Sequence, residues 1–280
     1  MSFTTLVDAR TVHEHLDDRS WVIVDCRHAL ADFSLGRKLY EEAHIPGAFF
    51  ADVEHDLAGE KTGHNGRHPL PDPEGFAEFL ESLGVNDKTQ IVGYDAGGDM
   101  FAARLWFLCR WIGHEAAAVL DGGFAAWTAA GYEVTGAPSS ALGTGDVHAK
   151  LNNALVVDVD YMLRHLHNSG THIVDARAAD RFRGENEVVD PVAGHIPGAQ
   201  NRPFKDNFSA DLRFKSPQEL RREFEAFGKP SHIIHNCGSG VSAAANMLAM
   251  EVAGLEGSRI YSGSWSEWIA DPSRPIATTE

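Results

Sequence analysis

Short apolar runs alternate along this chain with longer stretches of helical character. The runs VIVDCR at 22–27, IVGYD at 91–95, HIVDAR at 172–177 and IIHNC at 233–237 are rich in β-branched residues and read as buried strands. Helix ends are marked between them. Asp72-Pro73 opens an amphipathic segment that Gly84 closes, and Ser216-Pro217 with Glu219 opens another that Gly228 closes. An N-cap oxygen, a proline at the first helical position and a terminal glycine are what helix ends require. Arg104–Trp111, RLWFLCRW, is a helical segment apolar enough to be buried. Strands alternating with helices predict an α/β fold in which parallel sheets are covered by helices on both faces.

The pattern occurs twice. VIVDCR recurs as HIVDAR, HIPGA recurs letter for letter at 44–48 and 195–199, and DGGFAAW at 121–127 matches SGSWSEW at 262–268. A repeat of about half the chain predicts two domains of one plan. Between them GAPSSALGTGD, residues 136–146, lacks apolar periodicity and reads as a linker. The expected boundaries are 1–135 for the first domain, 136–148 for the linker and 149–280 for the second. HIPGA itself reads as a turn shaped by its proline and glycine in both halves.

The candidate chemistry lies in HIIHNCGSGVSAAANMLAM, residues 232–250, where a strand runs into Cys237, a Gly-Ser-Gly turn and an alanine-rich helix. Unpaired N–H groups at a helix start, with the helix dipole, favour a thiolate there. Cys237 is therefore the candidate nucleophile. A cysteine phosphatase would need an arginine six positions later to hold phosphate oxygens, and that residue is Ala243. A thiolate cradled by neutral amides suits instead the carriage of a sulfur atom as a persulfide. The first half has Asp95 in the matching register, so it is expected to be non-catalytic.

The run CGSGVSA resembles the active-site loop of the rhodanese superfamily, and closely the CG[ST]GVT form of its 3-mercaptopyruvate branch. The resemblance covers nearly the whole chain and implies two tandem rhodanese-like domains. It implies that the first domain walls the site, and that Gly238, Gly240, Val241 and Ser242 of the loop cradle the donor. Thiosulfate-specific members more often carry two basic residues after the cysteine, where this chain has Gly238 and Ser239. In the family an arginine between the DxR strand and HIPGA binds the donor, and Arg181 matches it; Arg183 is a second candidate. Many mercaptopyruvate enzymes carry another arginine nine residues after the first, where this chain has Asp190. Ser239, His68 in GRHPLP and Asp52 in GAFFADVEHD match a relay that would protonate the departing pyruvate enolate.

Composition narrows the partners. A formal net charge of −16 argues against nucleic acid or an anionic membrane surface, so an anionic donor must be held by a local arginine cluster. Cys26, Cys109 and Cys237 form no even framework and no CxxC pair, which points to a reducing compartment. Cys26 and Cys109 read as buried packing residues. The N-terminal residues lack a basic start followed by an apolar core, and a cytoplasmic location is expected. His55, His64 and His68 fit no ligand spacing, so no metal is expected, and no cofactor is implied. Three readings stay open: a 3-mercaptopyruvate sulfurtransferase, a thiosulfate sulfurtransferase, and a persulfide carrier with little turnover. The acceptor would be a thiol, such as thioredoxin or a small thiol, or cyanide.

Overall fold

The computed structural model describes residues 2–141 and 143–278. The chain divides into two compact units. The first comprises Met1–Gly59, Leu70–Asn152 and Phe208–Phe214, and the second Glu60–Pro69, Asn153–Asn207 and Lys215–Glu280. A segment from each half of the sequence thus packs with the other half's unit. The stretch expected as a linker clusters with the first unit: Gly145 N–H donates to Glu81 O at 2.8 Å and Asp146 N–H to Val85 O at 2.9 Å.

In the first unit the strands are β1 (Leu6–Val7), β2 (Trp21–Asp25), β3 (Phe49–Phe50), β4 (Gln90–Tyr94) and β5 (Ala117–Leu120). They pair in parallel in the order β1-β5-β4-β2-β3. The accompanying helices are α1 (Ala9–Glu14), α2 (Leu35–Glu42), α3 (Pro73–Ser82), α4 (Phe101–Trp111) and α5 (Gly123–Ala129). β4 is buried along its whole length, as a central parallel strand must be, and its Val92 and Tyr94 join Val12, Ile45 and Trp127 in the core.

The second unit repeats the plan. Strands β6 (Val156–Val157), β7 (His172–Asp175), β8 (Gln200–Asn201), β9 (Ile233–Asn236) and β10 (Arg259–Tyr261) pair in parallel in the order β6-β10-β9-β7-β8. Helices α6 (Val159–His165), α7 (Ala179–Arg183), α8 (Pro217–Glu225), α9 (Ser242–Val252) and α10 (Ser264–Trp268) flank this sheet. Its core gathers Ile173, Ile196, Ile234, Tyr261, Trp265 and Trp268.

The local signals behave as their chemistry requires. The Asp72 side chain accepts from Gly75 N–H at 2.9 Å at the start of α3, and Ser216 with Glu219 forms a capping box on α8. The repeated DxR motif is a buried pin. The Arg27 guanidinium forks onto Asp25 and donates to the Ala43 carbonyl at 2.6 Å; Arg177 forks onto Asp175 and donates to the Gly194 carbonyl at 2.8 Å. In both units the arginine therefore ties the end of a central strand to the residues just before HIPGA. The turn in HIPGA follows, with Gly47 and Gly198 both at φ +79°. No helix among the described residues is long and apolar enough to cross a membrane.

Candidate active site

β9 delivers Cys237 to the carboxyl edge of the second sheet, and α9 begins five residues later. α9 is buried on nearly every face by its small residues, which lets it pack closely on the strand that feeds it. The loop between them turns at Gly240, whose φ is +83° and whose missing Cβ would lie 2.2 Å from the Ser262 carbonyl oxygen. Only glycine fits there. With the turn so fixed, Gly240 N–H donates to Cys237 Sγ at 3.1 Å. An amide donor already aimed at sulfur favours a negative charge on it. The cysteine is 2% exposed, and Val241 and Ser242 behind it are also buried.

A second loop holds the first. Cys237 N–H donates to Ser264 Oγ at 3.1 Å, the Ser264 hydroxyl donates to Tyr261 O at 2.9 Å, and Trp265 and Ser266 N–H donate to the carbonyls of Cys237 and Gly238 at 3.0 and 2.8 Å. Ser264 is fully buried with φ +54°, a conformation that costs a non-glycine residue about 1–2 kcal/mol. The matching position of the repeat, Gly123, has φ +56°. The second unit thus places a hydroxyl where the first has none. Sequence reasoning missed Ser264, although aligning SGSWSEW with DGGFAAW exposes the substitution.

The side chains around the loop come from the second unit. His68 Nδ1 lies 2.7 Å from Ser239 Oγ, and both residues are buried. Arg181, on α7, donates from Nε to both oxygens of Glu187 at 3.0 and 3.1 Å and from Nη2 to Asp190 Oδ2 at 3.0 Å. The other oxygen of Asp190 accepts from Arg67 Nη1. A Cβ added to Gly238 would meet Arg67 Nη2 at 2.9 Å, Arg181 Nη2 at 3.7 Å and Asp190 Oδ2 at 3.7 Å, so two guanidinium groups joined by one carboxylate lie over that glycine. Burial pulls the Arg67 pKa below its ordinary range, and the charge of Cys237 opposes that shift.

One expected residue of the second unit is directed away from this group. Arg183 is directed onto Glu185, at 2.8 and 2.7 Å, with a side chain 39% exposed, and the guanidinium that lies over Gly238 with that of Arg181 is Arg67. Arg67 stands beside His68 in GRHPLP and carries no sequence signal of its own. Asp52 belongs to the first unit, where its carboxylate accepts from Glu54 N–H at 2.8 Å. Also in the first unit, β4 is followed by Asp95 in place of a cysteine, and the Asp95 carboxylate accepts from Gly97 and Ala102 N–H.

Known proteins resemble this chain along nearly its whole length. The rhodanese-like domain matches residues 8–130 and again 158–271. A probable 3-mercaptopyruvate sulfurtransferase of Pseudomonas aeruginosa is 46% identical over 99% of both chains. A thiosulfate sulfurtransferase of Bos taurus is 36% identical over 90% of this chain and 84% of its own. The solved structure of SseA, a 3-mercaptopyruvate sulfotransferase from Escherichia coli, is 34% identical and superposes with a TM-score of 0.81 over 94% of this chain and 99% of that one. With the domain matched twice and the cysteine loop intact in its second copy, the chain belongs to the rhodanese superfamily, as a tandem-domain member like the 3-mercaptopyruvate sulfurtransferases.

Proposed function

We propose that this enzyme moves sulfane sulfur from 3-mercaptopyruvate to a thiol or cyanide through a persulfide on Cys237. The Cys237 thiolate attacks the donor sulfur; an S–S bond forms and the donor's C–S bond breaks, its electron pair leaving on carbon as the enolate of pyruvate. The thiol proton of the donor is passed to that carbon, so that pyruvate departs and an anionic persulfide remains. The acceptor then takes the outer sulfur and restores the thiolate.

The observation that carries the choice of donor is the 2.7 Å contact between His68 Nδ1 and Ser239 Oγ, two residues from the nucleophile. A buried hydroxyl and imidazole in contact are suited to carry a proton to an enolate. Sulfite, the leaving group of thiosulfate, is a stable anion with no carbon to protonate. Asp52 enters the relay from the resemblance alone. Arg181 is the donor-binding guanidinium of this reading, and the first domain, with Asp95 at its loop, is non-catalytic. The bovine relative, named for thiosulfate, motivates the second reading, a thiosulfate sulfurtransferase. The free thiols of Cys26, Cys109 and Cys237 fit a reducing compartment, and we place the reaction in the cytoplasm with thioredoxin or a small thiol as acceptor. The test is kcat/KM for 3-mercaptopyruvate and for thiosulfate on one preparation. A clear preference for 3-mercaptopyruvate is expected; an equal or higher value with thiosulfate overturns the donor assignment, and slow turnover of both favours a carrier.

A further inference from the structure

The helix that begins at the cysteine loop is held from its side by amides in the core. Asn246, in the second turn of α9, and Asn207 are both fully buried, and Arg202 is 4% exposed. Asn207 Nδ2 donates to Asn246 Oδ1 at 2.9 Å and to the Ala245 carbonyl at 3.2 Å, and Asn246 Nδ2 donates to the Arg202 carbonyl at 2.9 Å. Arg202 closes the ring, its Nη1 donating to Asn207 Oδ1 at 2.6 Å. We propose that Asn207 and Asn246 are positioning residues of sulfur transfer, which set the register of α9 along its axis and so hold the Gly240 N–H on Cys237 Sγ. The inference rests on the reading of Cys237 as the sulfur-accepting nucleophile.

The surface of α9 explains why its register needs a polar device. Ala243, Ala244, Ala245 and Ala249 are fully buried and present low ridges, and packed helices take their register from ridges seated in grooves. Small side chains allow close approach but resist sliding weakly. Val241, at the N-cap, has no side-chain oxygen with which to fix the helix start. A slide by one residue's rise, about 1.5 Å, would carry the Gly240 N–H away from the 3.1 Å it keeps to sulfur. A buried amide whose donor and acceptor both have partners permits one register, because a slide leaves polar groups unpaired away from water.

The other end of the tether is firm. Arg202 N–H donates to the carbonyl of Asp175, the residue that Arg177 pins, at 2.9 Å, and Arg202 Nη2 donates to Glu223 Oε2 on α8 at 2.7 Å. Lys215 Nζ holds the other Glu223 oxygen at 2.9 Å. The first unit uses a similar device. On α4, Arg104 is fully buried and donates from Nε to the Leu57 carbonyl at 3.2 Å, in the segment that follows β3 as 202–207 follows β8. In each unit, then, a buried polar side chain ties the helix that leaves a central strand to the same part of the plan. Only in the second does that helix start beside a thiol.

The test reads the loop and not only the fold. Asn246→Leu keeps the branching of the side chain and removes its hydrogen bonds. At a temperature where circular dichroism shows wild-type helix content, its kcat with 3-mercaptopyruvate should fall at least about tenfold while KM stays within about threefold. Iodoacetamide with peptide mapping reads Cys237 without any donor. At pH 7 its alkylation should be at least about fivefold slower than in wild type, and at pH 9.5, where thiolate forms without help from the loop, the two rates should converge. Asn207→Ala removes the partner amide and should reproduce both effects. Ser216→Ala, which weakens α8 at its exposed cap, should alter neither. If Asn246→Leu does not fold, Asn246→Ser, which removes volume instead of adding it, carries the same expectations. Wild-type kcat in these variants, or alkylation slowed equally at both pH values or not at all, overturns the positioning role. If the wild type does not turn over 3-mercaptopyruvate and the alkylation profile still shifts in the variants, the sulfur-transfer reading fails and the tether stands; an active wild type with an unshifted profile overturns the tether alone.

Discussion

Three cysteines in one chain have three different surroundings, and only one of them meets an amide donor in a loop beside cations. Cys26 and Cys109 are fully buried, and burial pushes both thiols above their ordinary range. Cys237→Ser should therefore abolish sulfur transfer, while Cys26→Ser and Cys109→Ser retain it; intact-mass analysis after donor treatment should find one added sulfur on every protein except Cys237→Ser. Activity surviving in Cys237→Ser would remove the nucleophile from the mechanism. Ser264 allows a subtler experiment at the same scale. Ser264→Gly loses the bond to Cys237 N–H but relieves the backbone strain, terms of about 1 kcal/mol each that nearly cancel. Ser264→Ala loses the bond and keeps the strain, and should be less stable than wild type by about 1 kcal/mol. Both should lower kcat. Wild-type rates in both variants would show that the hydroxyl does not hold the loop in its reactive form.

At the scale of elements, the ends of helices and the ends of strands are secured by interactions of unequal worth. The capping box on α8 is exposed, so Ser216→Ala should cost about 1 kcal/mol in urea unfolding. Arg177 is different, because its removal strands the fully buried Asp175 carboxylate at the end of β7 and frees the Gly194 carbonyl just before HIPGA. Arg177→Met should cost about 3–5 kcal/mol, the penalty typical of breaking a buried charge pair. A smaller loss for Arg177→Met than for Ser216→Ala would contradict the role assigned to DxR. The proton relay belongs here too, since it joins the 60–69 segment to the cysteine loop. His68→Ala and Ser239→Ala should lower kcat with 3-mercaptopyruvate by about 10²-fold and affect thiosulfate much less. Equal losses with both donors would reduce them to loop supports.

For the molecule as a whole, acid stability should carry the signature of a buried imidazole. His235 lies on β9 with no exposed surface, its Nε2 3.2 Å from Ser258 Oγ, and burial, aided by the charge of Arg202, lowers its pKa from 6.5 to about 3. Below pH 6.5 the unfolded chain binds a proton at this residue that the folded chain refuses, so stability falls as the pH drops from 6.5 towards 3. The loss at pH 5 is about 2 kcal/mol from this group. His114, whose pKa burial also lowers, acts in the same direction. Urea unfolding from pH 7.5 to pH 4.5 should show this slope, and His235→Gln should flatten it. An identical slope in the variant would mean that other groups govern the acid limb.

The amino-acid sequence alone determined the two-fold repeat, by self-similarity, and the strand and helix alternation, the caps at Asp72 and Ser216 and the thiol at the end of β9, because each of these depends on neighbours within a few positions. It also brought His68 and Ser239 into one hypothesis, through resemblance rather than spacing. What it left open are contacts between distant segments. Ser264 reaches Cys237 across 27 positions, and Arg67 reaches Asp190 across 123. Arg183 and Arg67 are both plausible guanidinium donors in one dimension, and only folding turns the first onto Glu185 and the second over Gly238. Periodicity records which face of an element is buried. Which charge meets which is decided only when loops from different elements close around the same cysteine.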